Sequence, residues 1–148
     1  MKVGICTGCW DLLHEGHLFF LGEAMQACDY LVVAVNTDRS VRRLKGPQRP
    51  VHTLADRLLN LQTRASFVEG CFVPFDGSTD RLVMAVRPEV VIKGYDQGSD
   101  KEELYFMRVT GWKSDPHSVD LVPVVKIKHL PGFSTSLQLG EARSKTNA

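Results

Sequence analysis

Thr7-Gly8-Cys9-Trp10-Asp11-Leu12-Leu13-His14-Glu15-Gly16-His17 is the stretch whose reading decides the fold. The apolar run before it, Val3-Gly4-Ile5-Cys6, has the character of a strand, and Leu18-Phe19-Phe20-Leu21 after it opens an amphipathic helix. A strand thus gives way to a helix through a turn that carries two glycines and two histidines. The first turn of a helix offers unpaired backbone N–H groups and the positive end of the dipole, and both attract anions. Gly8 and Gly16 let a ligand come close to the backbone. His14 and His17 stand three residues apart, so they point to the same side, where two imidazoles can donate hydrogen bonds to phosphate oxygens.

Two similar patterns do not apply. His14-Glu15-Gly16-His17 is not the zinc-protease HExxH, because the histidines are too close for that metal spacing. The turn is not a Walker loop either, since no Gly-Lys-Ser/Thr follows it. Cys6-Thr7-Gly8-Cys9 is formally a CxxC. Only four residues separate Cys9 from His14, against about twelve to fifteen in a zinc finger. A redox CxxC opens a helix, whereas Cys6 lies within the strand pattern. Buried cysteines acting as small apolar residues fit better, and no metal ligands are assigned.

The 148 residues make one domain, with room for a sizeable core. Hydrophobic residues at 43% and charged residues at 24% are ordinary for a globular chain and argue against disorder. A net charge of +1 gives no support for bulk nucleic-acid binding. No apolar run is long enough to span a bilayer. The N-terminus enters a strand at once without signal-peptide features, so a cytoplasmic address is expected.

Along the chain, Leu18 to Cys28 reads as the first helix and Tyr30 to Val35 as an unbroken, doubly covered strand. Strand, helix and second strand form a βαβ unit, the start of a doubly wound sheet. Asn36 to Thr53 reads as a long connection with Arg39, Arg42, Arg43, Lys45 and Arg49 and no acid after Asp38. It follows the carboxyl end of a strand, the edge where such sheets bind ligands, and Lys45 is the first choice for phosphate contact. Leu54 to Val68 reads as a helix capped by Thr53, Gly70 to Phe75 as a strand, and Ser78 to Val86 as a helix capped by Ser78. Val90 to Lys93 reads as the fourth strand, Lys101 to Trp112 as a helix, and Val119 to Ile127 as a fifth strand weakened by Pro123. Pro131 to Ser136 leads into a short last helix. The fold class is α/β: one Rossmann-like doubly wound domain over residues 1–142, with a mainly parallel five-stranded sheet and a polar tail at 143–148.

The spacing Gly8-x-x-Asp11-x-x-His14-x-Gly16-His17 resembles the GxFDxxHxGH signature of the cytidylyltransferase-like nucleotidyltransferases, with Trp10 where that family has Phe. The likeness continues over nearly the whole chain. Val35-Asn36-Thr37-Asp38 resembles the family's second strand end. Arg43-Leu44-Lys45-Gly46, Arg49-Pro50-Val51 and Asp56-Arg57 look like the heptose-phosphate adenylyltransferase branch. Val91-Ile92-Lys93-Gly94-Tyr95-Asp96 is similar to that branch's KGxD turn, and Gly132-Phe133-Ser134-Thr135-Ser136 resembles the closing GxSTT motif. Arg64 sits one residue out of register with the second arginine of the glycerol-phosphate cytidylyltransferase branch, which is the second choice.

The resemblance implies attack by a substrate phosphate oxygen on the α-phosphorus of a nucleoside triphosphate, with release of pyrophosphate. A phosphate monoester is already a nucleophile, so the site must supply positioning and positive charge. His14, His17 and Lys45 are the implied catalytic residues. Thr7, Gly8, Cys9, Trp10, Gly16, Lys93, Gly94, Asp96, Ser134 and Thr135 are implied to hold the nucleotide. Arg57 is the candidate for the acceptor's phosphate, with Asp11 beside it; Asp11 serves equally well as a residue that fixes the turn. Mg²⁺ is implied as the ion carried by the triphosphate. The implied partners are a nucleoside triphosphate and a phosphorylated small-molecule acceptor, with no nucleic acid or membrane, and family likeness suggests a homodimer. A non-catalytic nucleotide-binding module is the rival reading.

Overall fold

A computed structural model describes residues 1–94, 106–110 and 119–127. The elements are β1 (Val3–Gly8), α1 (Glu15–Gln26), β2 (Tyr30–Asn36), α2 (Asp38–Lys45), α3 (Leu54–Arg64), β3 (Gly70–Phe75), α4 (Thr79–Val86), β4 (Val90–Gly94), β5 (Phe106–Thr110) and β6 (Val119–Ile127). They form an α/β, Rossmann-like fold in which the strands run in the order β3-β2-β1-β4-β6-β5. The first five in that order are mutually parallel, and β5 is added antiparallel at the edge.

Period-two alternation along the strands divides the core between two faces. Cys6, Leu31, Val33, Val35, Val90 and Ile92 point to one face, where Leu21 and Ala24 of α1 and Leu61 of α3 cover them. Ile5, Val32, Val91, Val122 and Val124 point to the other, under Val83 of α4. Each such aliphatic side chain contributes roughly 1.5–3 kcal/mol when fully buried. Strands covered on both faces have no reason to alternate apolar and polar residues, and this is why β2 reads as one apolar run.

Several stretches differ from expectation, α3 among them, which ends at Arg64 rather than Val68. Residues 38–45 form α2 inside the expected connection; Thr37 caps it through a hydrogen bond from the Ser40 N–H, and only Ser40 and Val41 of its residues are buried. α1 begins at Glu15 rather than Leu18, because His14 acts as its N-cap. Phe106–Thr110 is a strand, where a helix over 101–112 is expected; it is held by antiparallel pairing to β6, from Phe106 opposite Pro123 to Thr110 opposite Val119. That pairing also accounts for Pro123. Residues 119–123 of β6 pair with β5, and residues 124–127 pair with β4. A residue without an N–H thus stands where the strand changes partners.

Candidate active site

β1 ends at Gly8, and the chain turns sharply before α1. Trp10 and Leu12 both take positive φ, 55° and 52°, a conformation that is costly for such bulky side chains and concentrated at functional loops. A Cβ on Gly8 would stand 3.0 Å from the Trp10 indole, so a larger residue there would press on the folded-back ring. The indole is buried, donates from Nε1 to the Ala34 carbonyl at 3.2 Å, and lies under His17 and Phe20 with centroids 5.5 and 5.9 Å away. Its side chain is therefore the floor beneath a histidine, and any nucleotide contact at this position falls to the backbone.

The two histidines lock each other. Nδ1 of His14 accepts the Gly16 N–H at 3.0 Å, and Nδ1 of His17 accepts the His14 N–H at 3.2 Å. This is a capping box built from imidazoles. With both Nδ1 lone pairs engaged as acceptors, each neutral ring carries its proton on Nε2. Burial, then the neighbouring His14 and Lys45, push the His17 pKa down to about 3, against a smaller opposing pull from Asp11. His17 is a neutral hydrogen-bond donor at any ordinary pH, placed at the N-terminus of α1.

Two buried side chains join the surrounding loops. Asp11, 1% exposed, accepts from Arg49 Nε at 3.1 Å, from the Val51 N–H at 2.7 Å and from the His52 N–H at 3.0 Å. These bonds hold its carboxyl below the usual range against the opposing effect of burial. Arg57, fully buried, donates to the carbonyls of His52, Cys9 and Asn36 at 3.0, 2.6 and 2.7 Å and to the Asp38 carboxylate at 2.7 Å. The expectation that Arg57 receives the acceptor's phosphate is corrected here: its guanidinium is spent on four protein oxygens beneath the surface. Asp11 is likewise turned toward residues 49–52, so it fixes a loop rather than presenting a carboxylate to an acceptor.

The other expected residues divide by position. Thr7 and Gly8 close β1 opposite Ala34 and Val35, and Cys9 is half-buried with its sulfur 3.9 Å from Asn36 Nδ2. Lys93 and Gly94 end β4, the neighbour of β1 on the side away from β2. The order reverses between β1 and β4, the place where open α/β sheets bind ligands. Lys45 is the exposed last residue of α2, near enough for its charge to act on His17. Asp96, Ser134 and Thr135, the last helix and the 143–148 tail lie outside the described residues. Asp38, Arg49 and His52 were not singled out for the site from sequence; for Arg49 the available signal was its place in the basic run after β2. Cys6 is buried within β1, where desolvation drives its thiol well above the ordinary range, and all four cysteines are free.

A family model described as cytidylyltransferase-like matches residues 5–137. The chain belongs to the cytidylyltransferase-like family. That match spans every expected site residue, Asp96, Ser134 and Thr135 included. The chain is 38% identical over 143 residues to the bifunctional protein HldE of Acidiphilium cryptum, covering 97% of this chain and 27% of that one. It is 46% identical over 97 residues to HldE of a Caulobacter species, covering 65% and 20%. It thus spans about a fifth to a quarter of the length of these curated relatives. Among solved structures, a lipopolysaccharide core biosynthesis protein from Thermoplasma volcanium superposes with a TM-score of 0.67 at 28% identity, over 88% of this chain and 98% of that one. Membership of the family rests on the family model, and the likeness to HldE runs along nearly the whole of this chain.

Proposed function

We propose that the chain transfers a nucleoside monophosphate from a nucleoside triphosphate, ATP by preference, to a sugar phosphate such as heptose 1-phosphate. An oxygen of the acceptor's phosphate forms a bond to the α-phosphorus, the bond to the bridging oxygen breaks, and pyrophosphate leaves. The observation that supports this best is the histidine pair at the N-terminus of α1, in which Nδ1 of each ring is engaged in the helix cap and His17 is held neutral by burial. Preorganised donors of this kind act where charge grows on the transferring and leaving phosphates. Lys45, exposed and at the end of a helix, is a mobile cation that closes over them. Ser134 and Thr135 are proposed for the β- and γ-phosphates, and Lys93, Gly94 and Asp96 for the nucleoside. The preference for ATP and an aldose 1-phosphate is supported by Arg43-Leu44-Lys45-Gly46, by Lys93-Gly94-Tyr95-Asp96 and by the likeness to HldE.

Among the described residues no three His, Cys, Asp or Glu side chains gather as a metal cage, and Asp11 is committed to residues 49–52. Mg²⁺ needs no such cage, since it binds through substrate phosphates with one or two carboxylates. It fits here as the ion that arrives with the triphosphate and offsets its charge. Among the described residues no helix is long and apolar enough to cross a membrane; a cytoplasmic homodimer is part of the proposal.

The test is a matrix of the four nucleoside triphosphates against heptose 1-phosphate, glycerol 3-phosphate and phosphoethanolamine, read as pyrophosphate release. ATP with heptose 1-phosphate is expected to give the highest kcat/KM. A tenfold advantage for CTP with glycerol 3-phosphate, about 1.4 kcal/mol of transition-state preference, would replace it with the cytidylyl reading. Saturable ATP binding without turnover of any pair would favour a binding module.

A further inference from the structure

Arg57 is consumed inside the protein, so the acceptor's recognition group has to be sought elsewhere. Two buried polar side-chain atoms on one short segment meet no hydrogen-bond partner among the described residues: Nη2 of Arg49 and Nδ1 of His52. Buried donors and acceptors are nearly always paired, so an orphan marks a position that a ligand or water completes. The Arg49 side chain is only 11% exposed, and its Nε is already fixed by Asp11 at 3.1 Å. Asp11 also takes the N–H groups of Val51 and His52. One carboxylate thus orients the guanidinium and the backbone that carries the imidazole.

The segment's place in the fold says which substrate it would meet. It runs from the end of α2, where Lys45 stands, to the start of α3, and Arg57 ties it to Asn36 at the end of β2. It therefore lies on the β2 flank of β1. Lys93 and Gly94, proposed for the nucleoside, lie on the β4 flank. Asp11, which holds the segment, is also close enough to act electrostatically on His17. A second phosphate-bearing molecule approaching the histidines from the β2 side would pass this segment.

We infer that Arg49 and His52 form the acceptor-recognition pair, with Arg49 Nη2 donating to an acceptor phosphate oxygen and His52 Nδ1 bonding an acceptor hydroxyl. A guanidinium held on one edge by a carboxylate keeps charged donors for an oxyanion. The inference rests on the proposed transfer to a sugar phosphate, and its test is arranged so that the two can fail separately.

The experiment measures pyrophosphate release from ATP and heptose 1-phosphate by wild type, Arg49→Gln and His52→Phe, together with calorimetric binding of a non-hydrolysable ATP analogue. The expected result is an acceptor KM raised at least tenfold in Arg49→Gln and at least threefold in His52→Phe, with analogue affinity within twofold of wild type. An acceptor KM within twofold in both variants overturns the inference. So does an equal loss of acceptor and analogue affinity, which would make the segment merely structural. His52→Phe keeps both backbone bonds to Asp11, so it decides the matter if Arg49→Gln does not fold. If wild type releases no pyrophosphate from this pair, the proposed reaction has failed, and titration with inorganic phosphate tests the site alone. Tenfold weaker phosphate binding in Arg49→Gln then sustains it, and unchanged or absent phosphate binding overturns it.

Discussion

The imidazole rings of His14 and His17 stack with centroids 3.9 Å apart and 22° between their planes. Such a stack suits two neutral rings and disfavours two cations, in keeping with the lowered pKa of His17. His17→Ala removes a donor but leaves the helix terminus and the rest of the proposed nucleotide site. We expect nucleotide affinity within a few-fold of wild type and turnover down at least a hundredfold, the effect of losing one preorganised donor, about 2.7–4 kcal/mol. If the residue only completed the cap, the variant would lose about 1 kcal/mol of stability and little rate. Calorimetry with an ATP analogue and single-turnover rates separate these outcomes.

The same residue sets a pH dependence. In the unfolded chain His17 titrates near 6.5, whereas in the folded protein it titrates at about 3. Between those values the unfolded state binds a proton that the folded state does not. Its contribution to stability is therefore full above pH 6.5 and is lost progressively as the pH falls toward 3. Urea denaturation at pH 7.5, 6 and 5 should show wild type weakening on acidification. His17→Gln should show a shallower decline, and equal slopes in the two proteins would contradict the assignment.

Arg57 should matter for folding more than its charge suggests. Arg57→Leu strands the carbonyls of Cys9, Asn36 and His52 and leaves Asp38 without its partner. Breaking a buried, multiply bonded ion of this kind costs about 3–5 kcal/mol. Arg64→Ala, which removes a side chain that is 42% exposed and 3.8 Å from Glu15, should cost under about 1 kcal/mol. Arg57→Lys should not restore stability, because an ammonium cannot reach four acceptors in a fork. Denaturant midpoints of the three variants check the ranking.

The cysteines should divide by burial. Cys6 and Cys28 are buried and their thiols are held above the ordinary pKa by desolvation, whereas Cys9 and Cys71 are partly exposed. A thiol-reactive aromatic disulfide should modify Cys9 and Cys71 in the native protein, and Cys6 and Cys28 only after unfolding. Peptide mapping by mass spectrometry reads the order, and early labelling of Cys6 would contradict the packing of β1.

What could be read from the letters depended on how local each cause is. The apolar runs of β1, β2 and β4 identify themselves because their burial on both faces needs no partner information. The His14–His17 turn is equally legible, since strand end, glycines and helix start are contiguous. α2 was not legible, because six of its eight residues escape the core and its start depends on the Thr37 cap. β5 was hidden because antiparallel pairing across to β6 leaves no periodic trace in Phe106–Thr110. Arg57 reads from sequence as a contact for the acceptor's phosphate, although it sits on the inward stripe with Leu54, Leu58 and Leu61. Nothing near it in the chain announces the carbonyls of Cys9 and Asn36 that it meets in the fold.

Among the described residues β3 forms one rim of the sheet, pairing with β2 on one side only and carrying Pro74 opposite Val35. Proline offers no N–H, so a foreign strand laid along that rim finds a missing rung in its ladder. In concentrated solution this interrupts the template on which copies of the chain could otherwise stack edge to edge. Pro74→Val would restore the donor and supply a strand-favouring side chain, turning an inert margin into one that can recruit further strands.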